Sequence, residues 1–462
     1  MDVLANLDSF KKYNHIHMIG IGGISMSGIA EILNNWGITV TGSDAFSSNI
    51  TNRLSKAGIH VSIGPDFENL EKSDLVVYSA AIKQDDPEMQ KARSLNIYTM
   101  ERADFLGKIT EAFSNTIAIS GTHGKTTTTS MVSACFLKAA LDPTIQVGAI
   151  LKEIDGNYRV GDSEYFILEA CEYVESFLKF RPKSEIILNI DNDHLDYFKN
   201  FENIKNAFIK YVQLLPEDGL LVLNGDDKNC LDLRKFTSCR NVVTYGIDNT
   251  NANFVAKNIV FDKNGFPSFD VYYNNNFYAT FKLSVSGVHN ISDALSCIAL
   301  CDYHKISKAN MKAALKEFTG ASRRLEYKGH FNNVSLFDDY AHHPTEITAT
   351  CNAIKNKTYN KSWVVFQPHT YSRTKELLDD FAKSLLDFDN IIVTDIYAAR
   401  EYNTYDISSN DVVDKIKSYG KDAKYMSTLS EIAQYLKSNT SSGDIVISLG
   451  AGTITNLADY LL

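Results

Sequence analysis

The sequence predicts an α/β protein of three domains built on mostly parallel sheets, and three observations carry that reading. Short β-rich apolar runs alternate with helical patterns along nearly the whole chain, as strand–helix–strand units do. Two strand ends run into glycine loops that open helices, at Gly20–Gly28 and at Gly121–Gly124. Between Asn251 and Ser286 the runs become short, β-branched or aromatic, and are separated by Asp262-Lys263-Asn264-Gly265 and Asn274-Asn275-Asn276, which reads as antiparallel hairpins. The expected domains are 1–110, 111–320 and 321–462, with Gly320-Ala321-Ser322 as the last linker.

The pattern predicts strand His15–Ile21, helix Ser25–Trp36 stopped by Gly37, and strand Ile38–Gly42. Strands at Leu75–Ser79 and Ile97–Met100 follow, with a helix after Glu101. The alternation restarts with strand Thr116–Ser120, a helix from Lys125 to about Ala140, and strands Tyr165–Glu169 and Glu185–Ile190. The hairpin strands are Ile259–Asp262, Ser268–Tyr273 and Phe277–Val285, followed by helices Ile291–Tyr303 and Lys308–Phe318. Beyond the linker, strands are expected at Val334–Phe337, Trp363–Phe366, Ile391–Thr394 and Asp444–Leu449.

Composition narrows the function. Of 462 residues, 44% are hydrophobic and 22% charged, which suits a folded chain and not a disordered one. The formal charge of −10 argues against nucleic acid as the main partner, because phosphate backbones demand a basic surface. No apolar run is long enough for membrane insertion, and the acidic start lacks the basic region and apolar run of a signal peptide. The seven scattered cysteines form neither a disulfide framework nor a CxxC pair, which points to the cytoplasm, and Cys297 and Cys301 read as core.

The sharpest motif is Ser120-Gly121-Thr122-His123-Gly124-Lys125-Thr126-Thr127. A strand ends, the loop aims backbone N–H groups at one point, and a helix N-terminus adds positive charge. Lys125 suits β- and γ-phosphate oxygens, and the Thr126 hydroxyl suits Mg²⁺. Two residues stand between Gly121 and Gly124 where the common phosphate loop has four, so this is a shortened variant, and Lys125 is expected at an exposed loop–helix junction. The central domain thus reads as a P-loop-type ATPase. Glu169 at one strand end and His194 beyond another stand where such sheets gather ligands, as a metal site needs, although a surface acid and a capping histidine fit those positions equally. In the first domain, Gly20-Ile21-Gly22-Gly23-Ile24-Ser25 with Asp44 after the next strand reads as Rossmann-like. Ser25 replaces the third glycine, so a diphosphate at the helix N-terminus is a safer inference than a nicotinamide cofactor. Later polar clusters are His289-Asn290, Arg323-Arg324, Asp339–Glu346 and Gln367–Arg373. The adjacent His342 and His343 do not make a zinc site, since neighbouring loop histidines rarely share one ion.

Taken in this order, these motifs resemble the Mur ligases of bacterial cell-wall synthesis, across essentially the whole chain. The resemblance implies an N-terminal Rossmann-like domain for the UDP part of a sugar nucleotide, a central ATPase and a C-terminal Rossmann-like domain. It implies that L-alanine is joined to the lactyl carboxylate of UDP-N-acetylmuramate as ATP becomes ADP, through an acyl phosphate. By family pattern, Gly121, Thr122, His123, Gly124, Lys125, Thr126, Thr127, His289, Asn290, Arg324 and Asp339 bind ATP. Thr126, Glu169 and His194 hold one or two Mg²⁺ ions, and Lys125, Glu169, His194 and Arg324 are the catalytic set. Gly22, Gly23, Ser25, Ser79 and Arg102 face the UDP-sugar, and His343, His369, Tyr371 and Arg373 the amino acid. The chain departs from the pattern at Asp293, where a second Asn is usual, and at Thr370, where an Arg is. A related ligase that adds a recycled tripeptide would share most of these motifs. A nicotinamide-dependent dehydrogenase would explain Gly20–Gly28 and Asp44 but leaves Gly121–Thr127 unexplained.

Overall fold

In the computed structural model, which describes residues 10, 12–399 and 401–462, three sheets carry the predicted alternation. The first sheet contains β1 (His15–Ile19), β2 (Thr39–Asp44), β3 (His60–Ile63), β4 (Leu75–Tyr78) and β5 (Tyr98–Glu101). Its order is β3-β2-β1-β4-β5 and every pairing is parallel. The order reverses between β1 and β4, which opens a crevice at their carboxyl ends. The glycine loop after β1 and Ser79 after β4 meet there: a Cβ on Gly20 would stand 3.3 Å from the Ser79 Cβ.

The chain divides into two compact units. The first comprises residues 1–255, 273–275 and 294–314. Besides the first sheet it contains β6 (Asn115–Ser120), β7 (Thr144–Leu151), β8 (Gly156–Arg159), β9 (Tyr165–Glu169), β10 (Ser184–Ile187), β11 (Leu220–Asn224) and β12 (Asn241–Gly246). These run β8-β7-β9-β6-β10-β11-β12, and β12 pairs with the first two residues of β13 (Phe254–Phe261). Strand β6 lies between β9 and β10, so the loop after it opens beside the ends of both. Burial explains the run of Ile117, Ala118 and Ile119: β6 is covered on both faces, and parallel central strands read as unbroken apolar stretches. Cys135, Cys297 and Cys301 are fully buried in this unit, with Sγ separations of 3.7 Å and 3.8 Å along the chain of three, as core packing predicts.

The second unit holds residues 256–272, 276–293 and 315–462. It carries most of β13, β14 (Pro267–Tyr273) and β15 (Asn276–Lys282), neighbours joined by the turns at 262–266 and 274–275. Its main sheet contains β16 (Glu326–Phe331), β17 (Val334–Asp339), β18 (Ser362–Phe366), β19 (Asn390–Val393), β20 (Ala423–Tyr425) and β21 (Ile445–Leu449), ordered β16-β17-β21-β18-β19-β20. Only the edge pair β16–β17 is antiparallel. Val364, Phe366 and Ile447 belong to the core on one face, while Trp363, Val365 and Val446 belong to the core on the other.

Several strands go beyond the sequence reading. β3, β7, β8, β11, β12, β16 and β20 were not expected, and β13 starts at Phe254 rather than Ile259. β3, β16 and β20 stand at or beside sheet edges and are half exposed, so their apolar alternation is weak. β10 ends at Ile187, three residues short of the expected end, because Leu188–Asp191 leave the ladder to clamp the loop described below.

Candidate active site

The nucleotide loop joins β6 to α1 (Lys125–Lys138). Gly121 and Gly124 have φ of +137° and +87°, a region that favours glycine. A Cβ on Gly121 would come within 2.9 Å of the Leu188 Cβ, so that position admits no side chain without a shift. The loop is fixed from the β10 side. Thr122 N–H donates to the Asn189 carbonyl at 3.1 Å, and His123 N–H to Asn189 Oδ1 at 2.7 Å. Asn189 Nδ2 returns a bond to the His123 carbonyl at 3.0 Å, and His123 Nε2 stands 3.3 Å from Asp191 Oδ2. The first intrahelical bond runs from Thr128 N–H to the Gly124 carbonyl, so the N–H groups of Lys125, Thr126 and Thr127 have no intrahelical acceptor.

Lys125 corrects the expectation of an exposed junction. Its ammonium donates to the carbonyls of Gly121 and Thr122 and stands 2.9 Å from Glu172 Oε2, with the lysine side chain 15% exposed and that of Glu172 2%. Burial works against the ammonium, but the Glu172 carboxylate outweighs it and holds Lys125 protonated far above the ordinary lysine range. Sequence reasoning gave Glu172 no role. Only the fold shows it reaching both Lys125 and His194, whose Nε2 is 3.9 Å from Glu172 Oε1.

Glu169 is the last residue of β9. Its Oε2 accepts the Thr126 hydroxyl at 3.2 Å and its Oε1 the Gly148 N–H at 2.6 Å. Thr126, Glu169, Lys125, Glu172 and His194 thus form one cluster at the carboxyl ends of β6 and β9. Val174, Glu175 and His194 all have φ between +50° and +54°, an uncommon conformation for such residues. The strain falls on the two segments that present Glu172 and His194, as at many functional sites. The His194 ring lies 4.6 Å from that of Tyr173.

In the first-sheet crevice, Ser25 and Arg102 meet: Arg102 Nη1 donates to Ser25 Oγ at 3.2 Å. Gln146 Nε2 donates to the same oxygen at 2.6 Å, a partner no local signal announced. Asp44 accepts the Gly22 N–H at 2.9 Å and the Phe46 N–H at 3.2 Å, so it braces the loop. Gly22 must be small, because a Cβ there would stand 2.8 Å from Asp44 Oδ2. Gly23 is the N-cap of the helix Ile24–Asn35 and offers no side-chain cap, which leaves that N-terminus open.

In the second unit, burial and the Arg324 charge lower the His289 pKa to about 4, so the ring is neutral near pH 7. Asn290 Nδ2 donates to the Ser286 carbonyl at 2.6 Å. Burial raises Asp339 to about 6 against a 2.7 Å bond from the Thr350 hydroxyl and the Arg324 charge. Arg324 stands 3.9 Å from Glu346 and packs over Tyr340. Its neighbour Arg323, given no role from sequence, donates to the carbonyls of Gly450, Ala451 and Gly452. Arg373 Nη1 lies 3.3 Å from His369 Nδ1, whereas His343 caps the helix Pro344–Lys355 with its Nδ1 accepting the Thr345 N–H. Tyr371 lines a cavity with Asp395, Asn403 and Tyr425 that neither His369 nor Arg373 lines.

A strand–glycine loop–helix unit flanked by carboxylates, beside a second sheet with an uncapped helix N-terminus, fits the class of ATP-dependent ligases. Three family models match in order: "Mur ligase family, catalytic domain" over 15–114, "Mur ligase middle domain" over 119–301 and "Mur ligase, glutamate ligase domain" over 323–452. The chain belongs to the Mur ligase family. It is 51% identical to the UDP-N-acetylmuramate–L-alanine ligase of Acetivibrio thermocellus, over 100% of this chain and 98% of the relative, and 49% identical to that of Clostridium novyi, over 98% and 99%. Among solved structures it resembles UDP-N-acetylmuramate-alanine ligase MurC from Thermotoga maritima, with TM-score 0.81, 29% identity and coverage of 97% and 98%. A murein peptide ligase from Psychrobacter arcticus gives TM-score 0.69 at 25% identity, with coverage of 97% and 98%.

Proposed function

We propose that this chain joins L-alanine to the lactyl carboxylate of UDP-N-acetylmuramate, converting ATP to ADP and phosphate. The observation that carries the reading is the Lys125–Thr126–Glu169–Glu172 cluster in a chain about half identical, end to end, to ligases named for that reaction. A carboxylate is a poor electrophile, so it is first phosphorylated by ATP; the neutral amine then attacks the acyl phosphate, and phosphate leaves. The first step brings two anions together, and the protonated Lys125 with the N-terminus of its helix supplies the positive field that makes this possible. Asn189 holds that loop in place.

The donors fit Mg²⁺. Thr126 and Glu169 offer hard oxygen atoms within hydrogen-bond reach of each other, and His194 stands beside Glu172 for a second ion. When bound, Mg²⁺ supplies charge neutralisation on the phosphates. His289, Asn290, Arg324 and Asp339 are the second unit's candidates for the nucleotide, and His369 with Arg373 the strongest pair for the amino-acid carboxylate. Domain limits at 110 and 320 fall close to the breaks between the matched family models. No helix among the described residues is long and apolar enough to cross a membrane, and a cytoplasmic setting suits a user of ATP.

Phosphate release measured with ATP, UDP-N-acetylmuramate and a panel of amino acids tests the proposal. Release should require both the sugar nucleotide and L-alanine, with the amide product seen by mass. Release that depends on a tripeptide instead would assign the chain to the peptide-recycling ligases, and hydride transfer to a nicotinamide cofactor would overturn the ligase reading.

A further inference from the structure

The open helix N-terminus in the first-sheet crevice carries one hydroxyl with nearly all its bonding capacity committed. Ser25 Oγ accepts from Gln146 Nε2 at 2.6 Å and from Arg102 Nη1 at 3.2 Å. A serine hydroxyl has two acceptor lone pairs and one donor hydrogen. Both lone pairs therefore face protein donors, and among the described residues no acceptor takes the hydrogen. That hydrogen must point away from Gln146 and Arg102, at the second residue of a helix whose first N–H groups also lack intrahelical acceptors.

Gln146 is 121 positions from Ser25 and comes from β7. Its residue is 9% exposed and its Oε1 is buried without a partner, an arrangement that lowers stability and needs a reason. Nearby, Asn157 Nδ2 donates to the Ile24 carbonyl at 3.2 Å, so β8 fixes the same helix end. Two residues beyond Gln146, the Gly148 N–H holds Glu169 Oε1 at 2.6 Å, and Glu169 Oε2 takes the Thr126 hydroxyl. A single strand touches both the crevice and the phosphate cluster.

We infer that Gln146 is a positioning residue for the sugar nucleotide: it acts through Ser25, turning that hydroxyl toward an oxygen of the bound diphosphate while β7 sets the crevice at a fixed distance from Glu169. This inference rests on the function proposed above. Gln146 does not touch the substrate; it commits the lone pairs of the group that does. An aliphatic residue at 146 would free one Ser25 lone pair and let the hydroxyl rotate.

Calorimetric binding of UDP-N-acetylmuramate and, separately, of ATP to the full chain tests it. Gln146→Leu should weaken sugar-nucleotide binding on the order of ten-fold while ATP binding stays within about two-fold. Ser25→Ala should weaken it similarly, and the double variant should be no worse than either single, because one residue acts through the other. Gln146→Glu keeps the volume but accepts from Ser25 instead of donating, and places an anion near the diphosphate, so it should weaken binding more than Gln146→Leu. Wild-type protein that binds no UDP-N-acetylmuramate would overturn the function and the inference together. Wild-type binding with Gln146→Leu unchanged, with ATP affinity falling equally, or with effects that add fully to Ser25→Ala, would overturn the inference alone.

Discussion

Lys125 places its ammonium on two loop carbonyls and on Glu172, so under the proposed function one charge serves both folding and phosphate binding. Lys125→Ala should lower turnover on the order of 10²–10³-fold. It should also destabilise the protein by about 3–5 kcal/mol, because Glu172 is left buried and unpaired. Stopped phosphate assays and urea unfolding read the two effects separately; an unchanged unfolding midpoint would contradict the buried pair. Lys125→Ala with Glu172→Gln should recover much of the stability and none of the activity. Glu169→Gln keeps shape and removes charge, so its activity should recover in part as Mg²⁺ is raised. Wild-type activity across the whole titration would make Glu169 a bystander.

At the scale of elements, the β6–loop–helix unit is fixed by backbone conformation as much as by side chains. Gly121→Ala places a methyl group 2.9 Å from Leu188 at a φ of +137°. The expected loss is about 1–3 kcal/mol, together with loss of ATP binding as the loop shifts. Gly124→Ala, at φ +87°, should lose about 1 kcal/mol through backbone conformation. Thermal unfolding measures both losses, and a Gly121→Ala variant as stable as wild type would show that the Leu188 contact is irrelevant. The motif spacing made this unit legible in sequence. The clamp on it was not, because Asn189 acts only after β10 is laid beside β6.

At the scale of the molecule, each unit buries a carboxyl group whose pKa burial raises. Glu185 on β10 has both oxygens buried without partners, and burial raises its pKa well above the ordinary value. Its native form holds a proton that the unfolded chain releases, so stability falls as pH rises above about 4.5. Glu185→Leu should therefore stabilise the protein at pH 8 by about 1–3 kcal/mol, with a smaller gain at pH 5. Asp339, raised to about 6, has the same sign: its contribution is full below pH 4 and is lost as pH climbs through 6. The stability of Asp339→Asn relative to wild type should rise by roughly 3 kcal/mol between pH 4 and 6 and stay level above. Urea titrations across pH test both, and a difference that ran the other way would mean the carboxyl is charged in the fold.

The sequence by itself determined the alternating architecture and the two glycine loops, because these depend on periodicity and backbone chemistry within a dozen residues. It placed Glu169 at a strand end and Lys125 at a helix start, and both stand there. It did not determine that Lys125 is half-buried against Glu172, that Glu172 bridges it to His194, or that Gln146 meets Ser25 across 121 positions. Nor did it show that His369 meets Arg373, that His343 caps a helix or that Tyr371 lines a cavity with Asp395 and Tyr425. Tertiary structure decided these because a polar side chain takes its partner and its ionisation from whatever the sheet order brings beside it, and that order leaves no mark in local sequence.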